Sequence, residues 1–196
     1  MKTDQHHNKN LQTATFAAGC FWCTEAIFRR LKGVEEVVSG YTGGNPPAGG
    51  ENPNYEQVST GATGHAEAIQ IKFDPKVISC DKLLEVFFKL HDPTTKDRQG
   101  ADVGSQYRSA IFYNDAKQKE IAEKVLEKMN KELYEGKIVT EISPFENFYP
   151  AEGYHQGYYE KNPDAAYCKV VIDPKITKLY KEFGKEVKEN YKSQEF

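Results

Sequence analysis

An extended run, a glycine and a helical run follow one another near the start of the chain, with two cysteines at the junction. Residues 11–18 carry Thr13, Thr15 and Phe16, types that favour extended backbone. Gly19 permits a turn that other residues resist. Beyond it Ala26, Ile27, Arg30 and Leu31 keep the spacing of one helical side to about residue 31, and Gly33 supplies the stop. The junction reads Gly19-Cys20-Phe21-Trp22-Cys23-Thr24-Glu25. A strand that turns directly into a helix places Cys20 at the helix N-terminus, where free N–H groups and the helix dipole favour a thiolate. Cys20 and Cys23 share one side of the first turn. The chain therefore has to build a sheet around that strand and a core beneath that helix, with the thiols at the seam.

Residues 34–41 form a second expected strand, ending in Thr42-Gly43-Gly44. A loop rich in Pro and Gly then runs to about Asn54, a length unusual unless the loop is functional or mobile. A short helical piece at 55–59 precedes the clearest strand, 65–73, stopped by Asp74-Pro75. One face of that strand carries His65, Glu67, Ile69, Ile71 and Phe73; the other carries Ala66, Ala68, Gln70 and Lys72. Glu67 thus points the way the large apolar side chains point. Which face is the deeper core stays open, because the small residues opposite could lie under a helix.

Ser79 caps an expected helix to residue 90, with Leu83, Leu84, Phe87 and Leu90 as its buried stripe. His91-Asp92-Pro93 ends it, and a polar loop leads to a strand at 109–113. Asp115 caps a long helix bearing Ile121, Val125, Met129 and Leu133, closed by Gly136. A strand at 138–142 and an aromatic-rich loop at 145–159, with a helical turn near His155, follow. Asp173-Pro174 is read as cap and first-turn proline of a helix through about residue 183.

A chain of 196 residues suits one domain with a full core, expected over 11–184, between a polar tail at 1–10 and a charged tail at 185–196 that frays. A formal net charge of -3 gives no electrostatic case for nucleic acid. No run approaches a membrane span, and the polar start lacks a secretory apolar stretch, so a cytoplasmic protein is expected. Four cysteines are too few for a disulfide scaffold, which leaves catalysis, redox work, metal binding or plain burial.

Each reading of the cysteine pair has a rival. A structural zinc site needs a second close-set pair of ligands, whereas Cys80, Cys168, His65 and His155 are scattered. In a thioredoxin-type pair the tryptophan precedes the cysteines; here Phe21 and Trp22 lie between them. Inert burial is opposed by the Gly19 turn and the helix-end position. His65 and His155 admit a Cys-His hydrolase, but two large aromatics beside Cys20 crowd any oxyanion site. A peptide-binding module gripping through tyrosine-rich loops is a further alternative.

Several separated motifs share one resemblance. Gly19-Cys20-Phe21-Trp22, Gly40-Tyr41-Thr42-Gly43-Gly44, Asn52-Pro53-Asn54-Tyr55, Thr63-Gly64-His65-Ala66-Glu67, His91-Asp92-Pro93-Thr94, Gln106-Tyr107-Arg108-Ser109, Glu152-Gly153-Tyr154-His155-Gln156 and Lys161-Asn162-Pro163 occur in that order. Over residues 13 to about 183 the chain resembles the peptide-methionine sulfoxide reductase A family. Pattern and resemblance together imply an α+β fold: a two-layer sandwich, a mixed sheet with helices mainly on one side, and a ferredoxin-like core.

The resemblance implies a nucleophile, Cys20, that attacks the sulfur of methionine sulfoxide, and an acid, Glu67, that protonates the departing oxygen. A carboxyl on an apolar face should hold its proton near neutrality, which agrees; an ordinary ion-paired strand carboxylate is the rival. Tyr55, Asp102 and Tyr107 are implied around the sulfoxide oxygen, though a tyrosine is commonly just half-buried and Asp102 suits a turn. Phe21 and Trp22 are implied as the wall for the substrate methyl, against the rival of a hydrophobic plug. The family acts on the S epimer.

Cys20 then becomes a sulfenic acid that condenses with a second thiol, and an external dithiol reduces the product. Cys168, in Ala166-Tyr167-Cys168, resembles the family's recycling cysteine and is the favoured first partner. Cys23 stands where many members have glycine, so a direct Cys20–Cys23 bond or a three-thiol relay competes. Cys80 matches no role. No bound cofactor or metal is implied; thioredoxin or another dithiol is the expected reductant, and the chain is expected to be a monomer. The alternative is a peptide-binding or thioredoxin-like dithiol module without sulfoxide reduction.

Overall fold

The computed structural model describes residues 10–45 and 52–192. The elements in order are β1 (Gln12–Ala18), α1 (Phe21–Arg29), β2 (Val34–Thr42), α2 (Tyr55–Ser59), β3 (Ala66–Phe73), α3 (Cys80–Leu90), β4 (Arg98–Gln99) and β5 (Asp102–Val103). A 3-10 turn (Ser105–Tyr107) leads to β6 (Ser109–Tyr113), α4 (Ala116–Glu132), β7 (Glu141–Pro144), β8 (Phe148–Pro150) and α5 (Tyr158–Lys161). A π-helical turn (Cys168–Ile172) runs into α6 (Asp173–Phe183), and α7 (Glu189–Lys192) follows.

One six-stranded sheet has the order β7-β6-β1-β3-β2-β8, with only the β6–β7 pair parallel. Its middle four strands, β6-β1-β3-β2, are antiparallel throughout. With α1 between β1 and β2 and α3 between β3 and β6, they make the βαββαβ unit of a ferredoxin-like core. The Gly19 turn is obligatory: its φ is +83°, and an added Cβ would lie 2.5 Å from Gln99 Cβ.

The question left open by the alternation of β3 is resolved by what covers each face. Ile69, Ile71 and Phe73 join the large core with Phe16, Phe28, Phe87 and Phe88 under the helices, and Glu67 lies on that same face. Phe16 links the layers, its ring 5.7 Å from Phe28 on α1 and 5.3 Å from Phe87 on α3. On the opposite face Ala17, Ala66, Ala68 and Ala110 pack with Phe112 under Phe145 and Phe148, side chains of a strand-and-loop segment rather than a helix.

Four expectations are corrected. The strand expected at 138–142 begins only at Glu141, because the Ile138 N–H donates to Asn130 Oδ1 and the Val139 N–H to Pro93 O, which holds that segment off the sheet. The loop 145–159 contains β8, which pairs with β2 through Tyr41 and Tyr149; three residues are too few for a period to show. Asp173 is not a cap, since α6 continues from the π-helical turn; its carboxylate accepts the Tyr159 hydroxyl at 2.6 Å instead.

The charged segment after residue 184 is docked as far as Lys192. Val187 is fully buried and bridges Leu31, Lys32 N–H donates to Glu186 O, and Lys188 N–H donates to Arg30 O. The Arg30 guanidinium lies over Tyr159 at 4.9 Å and Tyr191 at 4.6 Å. Charges on one side of the segment hid one apolar anchor. The tail at 1–9, residues 46–51 of the expected long loop, and residues 193–196 lie outside the described residues. Replacing Val187 with aspartate should bury an unpartnered carboxylate and cost about 3 kcal/mol, read as a lower urea midpoint. An unchanged midpoint would mean the segment adds no stability.

Candidate active site

The Gly19 turn delivers Cys20 to the N-cap position of α1, with φ -53° and ψ 122°. Beside it the pairing of β3 with β2 sets Glu67 opposite Tyr41. The first N–H of the helix, from Phe21, donates to Glu67 Oε2 at 3.0 Å. Glu67 is 2% exposed, and burial pushes its carboxyl up to about 8 against the opposing pull of the Phe21 N–H. Because Oε2 accepts that N–H, the proton belongs on Oε1.

The other walls come from loops held by specific bonds. Asn54 caps α2 in a reciprocal capping box with Gln57, and the Tyr55 N–H donates to Glu152 Oε1 at 2.9 Å. Asp102 lies on the β4–β5 hairpin, whose Gln99 bonds Asp92 in both directions at 3.0 and 3.1 Å. Tyr107 ends the 3-10 turn, which Arg108 pins by donating to Ser105 O and Gly43 O.

Cys20, Phe21, Trp22, Tyr55, Glu67, Asp102 and Tyr107 line one cavity of about 120 Å³. Tyr167 lines it too. Its hydroxyl donates to Asp102 Oδ2 at 2.8 Å, and its ring meets Trp22 edge-on with centroids 5.7 Å apart. Sequence reasoning missed it: one of twelve tyrosines, its only signal is adjacency to Cys168. Trp22 is stacked on Tyr158 at 3.6 Å, and its indole N–H donates to His155 Nδ1 at 3.1 Å. Burial pushes the Tyr55 and Tyr107 hydroxyls up, so both stay protonated donors.

The thiols behave as a pair. Burial, reinforced by Cys23, pushes Cys20 well up, while the hydrogen bond from Cys20 pulls Cys23 down to about 7. The helix end that favours a Cys20 thiolate is opposed here: the Phe21 N–H is taken by Glu67, and burial pushes the thiol up. Cys23 Sγ also lies 3.9 Å from the Tyr167 hydroxyl. Cys168 is fully buried at the start of the π-helical turn and does not line the cavity; burial pushes its thiol up, and Cys23 is among the groups acting on it. Cys80, pushed up to about 12 by burial, is also absent from the lining.

His65 packs edge-on against Tyr149 and takes no part in the cavity. Among the described residues there is no cluster of three or more His, Cys, Asp or Glu able to hold a metal ion, and no helix long and apolar enough to cross a membrane.

A pocket of this kind pairs a soft nucleophile with an acid and hydroxyl donors. The sequence profile described as "Peptide methionine sulfoxide reductase" matches residues 12–188. A relative from Sulfolobus acidocaldarius, "Peptide methionine sulfoxide reductase MsrA", is 54% identical over 173 residues, covering 88% of this chain and 96% of its own. Among solved structures, reduced Mxr1 from Saccharomyces cerevisiae superposes with a TM-score of 0.76 at 36% identity, covering 85% of this chain and 94% of its own. The same yeast protein in complex with Trx2 gives a TM-score of 0.52 at 28% identity, covering 80% of this chain and 91% of its own. With the match spanning the fold, the thiols and every wall of the cavity, this chain belongs to the peptide methionine sulfoxide reductase A family.

Proposed function

We infer that the chain reduces methionine S-sulfoxide, free or in proteins, to methionine at the expense of thiols, and that the small cavity is where this happens. One observation carries the reading: the cavity gathers a buried thiol, a carboxyl that keeps its proton to about pH 8 and two tyrosine hydroxyls. Sulfoxide reduction needs a nucleophile for sulfur and a proton for oxygen, and both stand here together.

Loss of the Cys20 proton leaves its thiolate. That thiolate attacks the sulfoxide sulfur while Glu67 gives its proton to the oxygen. The attack makes a bond between the two sulfurs; the hydroxyl then leaves the substrate sulfur and adds to Cys20 Sγ as the sulfur–sulfur bond breaks, which releases methionine and leaves Cys20 as a sulfenic acid. Tyr55 and Tyr107 donate to the oxygen and Asp102 holds the Tyr167 side of the pocket. Phe21 and Trp22 hold the methyl. With methyl, oxygen and nucleophile each given a side, the rest of the substrate can point only outward, and one epimer satisfies all four directions.

A second thiol then attacks the sulfenic sulfur, forming a disulfide and releasing water. Cys23 is the thiol that acts on Cys20, from the first turn of the same helix. The resemblance favoured Cys168 as first partner; its full burial outside the cavity favours Cys20–Cys23 first, followed by exchange onto Cys168 once it emerges from the π-helical turn. A thioredoxin-like dithiol then reduces the protein, a reading supported by the yeast relative's complex with Trx2.

Reduced protein given one equivalent of methionine S-sulfoxide, without reductant, should release one methionine and lose two thiols. Peptide mapping after this turnover should find Cys20–Cys23. Trapping Cys20–Cys168 first would overturn the order, and loss of no thiol per sulfoxide would overturn the activity in favour of a binding module.

A further inference from the structure

We propose that His155 is a positioning residue that holds Trp22 as the methyl wall and so sets the substrate discrimination of the pocket. The inference rests on the sulfoxide-reductase reading above. Four observations carry it. The Trp22 indole N–H donates to His155 Nδ1 at 3.1 Å. The imidazole is 1% exposed and stands behind the cavity, its centroid 5.0 Å from the Phe21 ring and 4.5 Å from the Tyr55 ring. Three of the residues that line the cavity therefore lean on one side chain. His155 itself lines none of it.

The tautomer follows from the bond. A nitrogen that accepts an indole N–H carries a lone pair, so the ring proton sits on Nε2. Nε2 is buried without a hydrogen-bond partner and faces Glu152 Oε2 at 4.0 Å. Glu152 is itself tied to the site: Oε1 accepts the Tyr55 N–H at 2.9 Å and Oε2 accepts the Tyr41 hydroxyl at 2.8 Å. The carboxylate keeps the proton on Nε2, and the free Nδ1 keeps the indole turned one way. Tyr158, stacked flat on Trp22, restrains the tilt of the ring but supplies no acceptor to fix its rotation in plane. The hydrogen bond that His155 Nδ1 accepts supplies that last restraint.

A wall fixed to this degree distinguishes a methyl from an ethyl group on the sulfoxide sulfur, a difference of one methylene worth about tenfold or more in a tight apolar pocket. His155→Phe keeps the ring and removes the acceptor. His155→Asn keeps an acceptor near the Nδ1 position.

The experiment has two arms. In the reduced wild-type protein, uniformly labelled with nitrogen-15, the single tryptophan gives one indole signal. That signal should show a scalar coupling across the hydrogen bond to His155 Nδ1. In kinetics, the preference for methionine sulfoxide over ethionine sulfoxide, measured as a ratio of kcat/KM, should fall about tenfold in His155→Phe and be largely restored in His155→Asn. The fall should lie mostly in KM for the methyl substrate.

Absence of the coupling overturns the proposal without any variant, so a failure of His155→Phe to fold does not rescue it. A coupling present together with an unchanged preference in His155→Phe also overturns it. A wild-type protein that shows the coupling yet reduces neither sulfoxide refutes the activity itself, a different failure.

Discussion

Replacing Cys20 with serine should abolish sulfoxide reduction, by about 10⁴-fold or more, the scale on which loss of a nucleophile is felt. Serine has nearly the shape of cysteine, and the site is buried at 7% exposure, so the fold should survive. The chemistry does not survive, because a hydroxyl remains protonated and is a poor nucleophile for sulfur. Cys20→Ala, which removes the hydrogen-bonding group altogether, should instead let the Cys23 thiol titrate higher. The measurement is methionine released per protein in a single turnover, with a thiol count and a Cys23 alkylation profile against pH. Substantial methionine release from Cys20→Ser would sink the assignment of nucleophile. Unchanged alkylation of Cys23 in Cys20→Ala would refute the coupling of the two thiols while leaving the nucleophile in place.

Replacing Glu67 with glutamine should slow the single-turnover rate at neutral pH by about 10²–10⁴-fold with little change in substrate affinity, the range of a general acid. The amide keeps an oxygen to accept the Phe21 N–H, so the helix end stays tied. Burial raises the Glu67 carboxyl to about 8, so the wild type holds this proton at pH 7 and loses it above pH 8. The ratio of wild-type to Glu67→Gln rates should therefore be highest below pH 7 and fall as pH rises through about 8. A ratio independent of pH, or equal rates at pH 7, would remove Glu67 as the acid.

The same shift makes a statement about stability. Between the ordinary carboxyl value and about pH 8 the folded protein holds a proton that the unfolded chain has released, so stability falls as pH rises across that window. Glu67→Gln has no such loss and should gain stability relative to the wild type across the same window. A variant slower in chemistry and steadier in the fold separates an acid from a packing defect.

Much of this site was legible because its signals are local. Gly19 next to Cys20 announces a turn, since few other residues accept that backbone. The face of Glu67 follows from a period of two, and the caps at Ser79 and Asp115 follow from side-chain chemistry at a helix start; the fold has all of these. The family motifs extended this local reading to Tyr55, Asp102 and Tyr107, which the fold brings to one cavity. Tyr167, β8 and the docked Val187 were not legible in the same way. A three-residue strand shows no period, a lone valine among charges shows no stripe, and a tyrosine acquires a role only when Asp102 is placed within 2.8 Å of it.

The two cysteines with which the chain sets its first constraint divide the matter. By itself the sequence determined that a strand turns into a helix at Cys20 and that Glu67 shares a face with the large apolar residues. These depend on backbone preferences and spacing, which act over a few residues; the roles in sulfoxide chemistry came from the resemblance of its motifs to the family. Only the tertiary structure showed what opposes a charge on Cys20. Burial and the Cys23 thiol work against the helix end that the sequence displays, and Glu67 takes the first helix N–H. It also decided that His155, distant in the chain, stands against Trp22. Desolvation and long-range hydrogen bonds depend on what the folded chain excludes and brings together, and no stretch of sequence contains that by itself.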